Sequence, residues 1–495
     1  MKKFLIGIDQ GTSSSRAILQ SVDGDVEYLA QSEFQCIYPK IQWVEQNPDD
    51  ILKTTISSCK KAIEKANELK GSIEAIGITN QRETTIIWDK KSGEPVYNAI
   101  VWQDRRTSDL CTNLINNGYE KEITSRTGLV VDPYFSATKI KWLLDNITNL
   151  RERAKKGELA FGTIDTFLLW HLTGGKVHAT DATNASRTML FNLAKQDWDD
   201  EILRELSIPR QILPEIKCSS DIYGVTNKNI IGCEIPITAI LGDQQAAAVG
   251  QACFEPGILK CTYGTGCFAI MNIGEDPVYS HNRLLTTVAY KLKDKTTYAL
   301  EGSVFVAGAA VQWLRDNLKV IKTAAETESL AKKLTDNEGV YIVPAFTGLG
   351  APYWDSKARG IIVGLTRNTK IEHLARAVLE AACYQTYDLY DAMNKDCGIE
   401  LFALRVDGGM TDNKWMLQYL ADISNLTVAK SKVTQITAFG IAAFAGLAVG
   451  IYNDLKDIEK LLKIESEYKP SMDEYKRKQY IKNWRLAIKA TRGYK

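Results

Sequence analysis

The sequence lacks the residues that build metal clusters and the motif that builds the commonest nucleotide loop. Its 495 residues include only four histidines, and its ten cysteines (positions 36, 59, 111, 218, 233, 253, 261, 267, 383 and 397) form no Cys-x-x-Cys pair. A zinc cluster therefore finds no ligand set, and scattered cysteines in a long chain read as small buried apolar side chains of a reducing compartment. No GxxxxGK[ST] run occurs, so any ATP must be held by an architecture other than a P-loop. An excess of one charge is missing too. Lys+Arg 61 against Asp+Glu 60 leaves a formal net charge of +1, which argues against broad attraction to nucleic acid or an anionic membrane.

Long apolar runs are scarce. The opening MKKFLIGIDQGT imitates the start of a signal peptide, but Asp9 cuts the apolar stretch short, and Phe4–Ile8 reads as a buried strand. Val433 to Asn453 (VTQITAFGIAAFAGLAVGIYN) carries no charge and is long enough for a bilayer span. Thr434, Gln435, Thr437 and several glycines lower its hydropathy, and no basic cluster flanks it to set a topology. It is expected to be a buried helix, with Gly440, Ala443 and Gly446 admitting a second helix at close range, and no integral membrane segment is expected.

What is present is the composition of an ordinary globular protein, 45% hydrophobic and 24% charged, with Gly 34 and Pro 12. The length calls for two large domains or more. FLIGID, AILQSV and VEYLAQSEF read as a three-stranded meander with a turn at Asp23-Gly24. Residues 48–69 read as a helix, with Asn47 or Pro48 near its start, acids in its first turn and an apolar stripe of Ile51, Ile56, Cys59 and Ile63. IEAIGIT then returns as a buried strand. A similar programme restarts after residue 250: strand Ile258–Tyr263, a Gly-Thr-Gly turn, strand Phe268–Asn272, a helix at 371–395, the strand LFALRVD, a glycine turn and a helix from Asn413. The expectation is an α/β protein of two similar halves, 1–250 and 251–495, meeting at a cleft.

Three turns suit phosphate and nucleotide. In Asp9-Gln-Gly-Thr-Ser-Ser-Ser-Arg16, Gly11 allows a tight turn, Thr12, Ser13 and Ser14 offer hydroxyls and N–H groups, and Arg16 adds a cation. Asp9, at the strand end, is placed to hold Mg²⁺ through water. Ser and Thr capping a plain hairpin is the competing explanation. Tyr263-Gly-Thr-Gly-Cys-Phe-Ala269 overlaps the dinucleotide fingerprint, but a strand follows it where that fingerprint needs a helix, so Thr265 reads as the tip of a second phosphate clamp. Arg405-Val-Asp-Gly-Gly-Met-Thr-Asp-Asn413 joins a strand, paired glycines and a helix start, where backbone can approach an adenosine closely.

On the acceptor side, Asp243 in Leu-Gly-Asp-Gln-Gln-Ala could accept the proton of an attacking hydroxyl; a helix N-cap is its plainer role. Arg82 and Glu83, after a buried strand, could bond vicinal hydroxyls, or form only a surface ion pair. Trp102, Tyr134 and Phe268 could wall the carbon face of a small polyol, or belong to the core.

Taken together, GIDQGTSSSRA, GITNQRETT, NAIVWQDRRT, TGLVVDPYFSATKIKWLLD, TDATNASRTMLFN, GDQQAAAVGQ, YGTGCF, VPAFTGLGAPYWDSKARG and RVDGG span nearly the whole chain. In this order they resemble the glycerol kinases, in the sugar-kinase branch of the actin and hexokinase superfamily. Tyr134–Asn146 and Gly360–Glu380 resemble that family's signatures. The resemblance implies two actin-like (ribonuclease H-like) domains flanking an ATP and substrate cleft and closing over it, which would keep water from the γ-phosphate. It assigns glycerol to Arg82, Glu83, Tyr134, Asp243 and Gln244. It assigns ATP to Thr12, Ser13, Ser14, Arg16, Thr265, Gly308, Gln312, Gly409 and Asn413, and Mg²⁺ to Asp9 and Asp243. It also implies a cytoplasmic homodimer or homotetramer with glycerol and ATP as partners and no nucleic acid. Some relatives are inhibited by fructose 1,6-bisphosphate at a glycine-rich loop with a Lys and an Arg, and others are activated by phosphorylation of a histidine nearby. The matching Thr226–Glu234 has one glycine, one lysine and no histidine, so neither control is expected. A kinase of another polyol or pentose, or a non-enzymatic ATPase of the same fold, are the competing functions.

Overall fold

The computed structural model describes residues 2–494. The first sheet contains β1 (Lys3–Gln10), β2 (Ser14–Ser21), β3 (Val26–Glu33), β4 (Ser72–Asn80), β5 (Ser220–Val225) and β6 (Pro236–Gly242), in the order β5-β6-β4-β1-β2-β3. β1, β2 and β3 are the antiparallel meander, while β4 runs parallel to β1 and β6 parallel to β4. Parallel strands covered on both faces must be apolar throughout, and β1 is buried along all of its length after Lys3.

The second sheet repeats this plan. It contains β7 (Ile258–Tyr263), β8 (Cys267–Gly274), β9 (Leu285–Leu292), β10 (Lys295–Val304), β11 (Ala403–Asp407), β12 (Thr427–Ser431) and β13 (Ile464–Tyr468), in the order β9-β10-β8-β7-β11-β12-β13. Here β7, β8 and β10 form the antiparallel ribbon, and β11 and β12 add in parallel on the other side of β7. The run β10-β8-β7-β11-β12 therefore matches β3-β2-β1-β4-β6 strand for strand. This is the actin-like, ribonuclease H-like α/β topology, present twice.

Helix α1 (Pro48–Glu68) covers β2 and β3. Asn47 caps it by accepting from the Asp49 N–H at 3.0 Å, and Asp49 and Asp50 fill its first turn. Its buried stripe differs from the expected one: Ile56 is half-buried, whereas Thr55 and Ser58 are buried and bond Ser15 of β2. The long uncharged segment forms α7 (Ile436–Ala448), which crosses back from the second half to pack on β1, β4 and β6 and against α3 (Asp243–Gly250). Glycines make this approach possible. A Cβ on Gly7 would lie 2.1 Å from the Ala438 carbonyl oxygen, and one on Gly440 only 2.0 Å from that of Ala246. Among the described residues no helix is long and apolar enough to cross a membrane, and all ten cysteines are free thiols.

Parallel pairing sets the site. Gln10, Asn80 and Gly242 are register partners at the C-terminal ends of β1, β4 and β6, so the turns leaving these strands open side by side. Thr262 and Asp407 play the same part at the ends of β7 and β11 in the second sheet.

Candidate active site

Arg82 and Glu83 come just after β4, beyond Gln81, and are buried, 2% and 1% exposed, so a surface ion pair is excluded. Arg82 donates through Nη1 and Nη2 to both oxygens of Glu301, at 2.6 and 2.9 Å, and through Nη1 to Gln245 Oε1 at 3.1 Å. Its Nε lies 3.2 Å from Asp243 Oδ1 and 3.9 Å from Glu83 Oε1. Arg187, fully buried, completes a quartet by donating from Nε to Glu83 at 2.7 Å and from Nη2 to Glu301 at 3.1 Å. Two cations and two anions taken out of water together hold each other ionised; removing one member of such a set costs about 3–5 kcal/mol, because its partner stays buried and uncompensated. The Glu301 carboxyl is accordingly held down at about 2, the two guanidiniums outweighing the burial that opposes them. Glu83 is shifted the other way, because burial is its largest influence and outweighs Arg187 and Arg82.

Glu83 also has φ +61, a left-handed conformation that a non-glycine residue adopts only when its surroundings impose it. The restraint is visible at its carbonyl, which accepts from Thr85 Oγ1 at 3.1 Å, Ser136 Oγ at 3.0 Å and Lys139 Nζ at 3.5 Å. Lys139 lies on α2 (Ser136–Asn146), is wholly buried, and also donates to the Tyr134 carbonyl at 2.8 Å. Burial pulls its ammonium down to about 7. One lysine thus ties together the backbones of two predicted acceptor residues.

Asp243 is the first residue of α3, and the cap position belongs to Gly242. Its Oδ1 accepts from the Gln244 N–H at 2.7 Å, and its side chain is 30% exposed, so it opens to the cleft where its buried neighbours do not. Burial raises its pKa, opposed by Arg82 and Lys260. Gln244 accepts from Lys260 Nζ at 2.8 Å. Asp9 is pushed up to about 6, chiefly by burial, with Arg16 opposing and Asp243 adding to the rise. Two carboxylates at the ends of β1 and β6, on either side of β4, one of them raising the other's pKa, suit a small hard cation that keeps most of its water and shares phosphate oxygens, as Mg²⁺ does. Among the described residues no cluster of three or more His, Cys, Asp and Glu offers a fuller protein cage.

The three aromatic candidates come together. Trp102 meets Tyr134 edge-on at 5.7 Å and Phe268 at 6.4 Å, and Arg187 lies over the Tyr134 ring at 5.6 Å. Trp102 also donates from Nε1 to Thr12 Oγ1 at 3.0 Å, linking this wall to the turn between β1 and β2. In that turn Ser13 is exposed, Ser14 is buried, and Arg16 reaches to 3.8 Å from Asp9 Oδ2 while donating to Gln31 at 3.2 Å.

Thr265, Gly308, Gln312, Gly409 and Asn413 line one cavity of about 460 Å³ in the second half, with Val311, Ala324, Leu379 of α5 (Ile371–Cys397) and Met410 as apolar walls. The Gly308 N–H donates to Gly264 at 3.0 Å and the Ala309 N–H to Thr265 at 3.0 Å, which docks the start of α4 (Gly308–Asp316) onto the β7–β8 turn. Gly408, at φ +95, passes so close to Tyr263 that a Cβ would lie 2.3 Å from its carbonyl oxygen. Asn413 caps α6 (Lys414–Ser424) by accepting from the Met416 N–H at 2.9 Å, so its carboxamide serves the helix as well as facing the cavity.

The comparisons with known proteins fall on this same two-part frame. The N-terminal domain of the FGGY family of carbohydrate kinases matches residues 4–250, and the family's C-terminal domain matches residues 259–449. The chain belongs to this family. Glycerol kinase 2 of Thermotoga maritima is 54% identical to this carbohydrate kinase over 492 residues, 99% of each chain. The glycerol kinase of Thermoanaerobacter sp. is 54% identical over 488 residues, covering 99% of this chain and 98% of its own. Among solved structures, Plasmodium falciparum glycerol kinase with ADP superposes with a TM-score of 0.95 at 38% identity, covering 99% of this chain and 98% of that one.

Glu301, Arg187, Lys139 and Lys260 were not reached from the sequence. A signal for two of them exists: Lys260 is the one charge of its strand ILKCTY, and Glu301 is the one charge of the largely apolar run YALEGSV. A charge at such a position needs a buried partner.

Proposed function

We propose that this carbohydrate kinase transfers the γ-phosphoryl group of ATP to a terminal hydroxyl of glycerol, giving sn-glycerol 3-phosphate and ADP. The full-length identity of 54% to glycerol kinases carries the reading. The small enclosure of Trp102, Tyr134 and Phe268 beside Arg82, Glu83 and Asp243 agrees with it, because three carbons need one apolar face and a few polar anchors.

In this reading Arg82 donates to the acceptor hydroxyls, and Glu83 accepts through Oε2, which has no hydrogen-bond partner among the described residues, with Tyr134 and Gln244 as further contacts. Asp243 takes the proton from the attacking hydroxyl, its raised pKa favouring that role. The hydroxyls of Thr12, Ser13 and Ser14, with Arg16 and Thr265, hold the phosphates, and the 460 Å³ cavity takes the adenosine. Mg²⁺ near Asp9 and Asp243 would neutralise charge on the transferring phosphates. The chain acts in the cytoplasm as a homodimer or homotetramer. Coupled ATP-to-ADP assays with glycerol, xylulose, gluconate and dihydroxyacetone test the reading. Glycerol should show the highest kcat/KM, and preference for a pentose or gluconate would overturn it.

A further inference from the structure

The polar residues of the acceptor pocket all come from the first half, yet a carboxylate from the second holds them. Glu301 sits on β10, its side chain 3% exposed, and grips Arg82 with both oxygens while also accepting from Arg187. A guanidinium has five N–H groups. In Arg82, Nη1 donates to Gln245 and Glu301 and Nη2 to Glu301, which leaves the Nε–H, on the side of Asp243 at 3.2 Å, and one Nη2–H for a ligand. Which N–H groups remain, and where they point, depends on the plane of the fork. A bidentate carboxylate fixes that plane as no single contact does.

Resting on the function proposed above, we infer that Glu301 is a positioning residue for the acceptor, acting through Arg82. Without the Glu301 charge, the nearest anions to Arg82 are Asp243, 3.2 Å from Nε, and Glu83, 3.9 Å from it. The freed fork turns towards them and occupies the carboxylates that the hydroxyls need. The loss falls on acceptor affinity. The nucleotide cavity is left as it was, since neither Glu301 nor Arg82 lines it. Because β10 and β4 belong to different sheets, the same grip makes the acceptor pocket complete only when the two halves are together.

The test uses the full-length enzyme. Glu301→Gln should raise the glycerol KM about 10- to 100-fold, the effect expected for losing a charged hydrogen-bond pair, with kcat changed less than about fivefold. ADP affinity, titrated without glycerol, should stay within about twofold. In an Arg82→Ala background the same substitution should move KM by less than about twofold, since the residue through which it acts is gone. An unchanged glycerol KM, a parallel loss of ADP affinity, or a full multiplicative effect in the Arg82→Ala background would each overturn the inference. If Glu301→Gln fails to fold by thermal melt, Glu301→Asp decides: it keeps the charge but shortens the reach, and must raise KM with ADP affinity unmoved. Should the wild-type enzyme prefer another acceptor, the proposed function fails, and the same comparison is run with that acceptor.

Discussion

At Asp243 burial and charge pull in opposite directions. Burial favours the protonated carboxyl, while Arg82 at 3.2 Å and the buried Lys260 favour the anion. The outcome is a carboxylate more basic than an exposed one and still able to open onto the cleft, as a general base requires. Asp243→Asn keeps the shape and the bond to the Gln244 N–H but cannot take a proton. The expected result is a fall in kcat of about two to four orders of magnitude, with a much smaller change in glycerol affinity. Near-normal turnover would remove Asp243 from the chemistry. Strand ends made Asp9, Arg82, Glu83 and Asp243 legible in the sequence, since a charge just after an apolar run tends to face a cleft. Arg187 and Glu301 lie 104 and 219 residues from their partners Glu83 and Arg82, and no local pattern announces a pairing over such a distance. The strain at Glu83 was equally hidden, because two of the three donors on its carbonyl, Ser136 and Lys139, come from a helix that begins more than fifty residues later.

Among the elements, α7 shows what sequence patterning conveys and what it omits. Its lack of charge and its spaced glycines pointed to a buried helix with a close neighbour, and Gly440 does meet α3, at Ala246 and Gly250. The omission is its address. An element from the second half of the chain covers the first sheet, and nothing in the run from 433 to 453 encodes which sheet it joins. The contact at Gly440 is with backbone: a Cβ there would lie 2.0 Å from the Ala246 oxygen and 2.6 Å from the Gly250 nitrogen, and neither can rotate away. Gly440→Ala is expected to destabilise by about 1–3 kcal/mol or more through overpacking, read as a lowered melting temperature. Gly493→Ala, at a site with nothing within 4 Å of the added carbon, is the control and should stay within about 0.5 kcal/mol. Equal melting temperatures for the two variants would mean that the crossing is looser than described.

For the whole molecule, the repeated strand order was legible as a restart of the same programme, while the cross-links between halves were not. A connection within the first half bears on regulation. Thr226–Glu234 connects β5 to β6, the strand that ends at Gly242 and delivers Asp243, so an effector bound there would act on the proposed catalytic residue through the frame of the first sheet. The loop is poorly equipped to hold a bisphosphate, which needs several free N–H donors and fixed cations. Six of its nine backbone N–H groups are already engaged. The Asn229 N–H bonds Asn227 Oδ1 at 2.9 Å, the Ile230 and Ile231 N–H groups bond the Asn227 carbonyl at 2.9 and 3.4 Å, and the Gly232 N–H bonds Lys228 at 2.8 Å. Thr226 and Asn227 donate to Ile235 and Leu172 at 3.0 and 2.7 Å. Lys228 is the loop's one cation, and Glu234 offsets it. Fructose 1,6-bisphosphate, titrated at fixed ionic strength with glycerol and ATP near their KM values, is therefore expected to leave the rate unchanged. Half-inhibition at millimolar or lower concentration would show that cations from outside this loop, on another face or another copy of the chain, complete an anion site there.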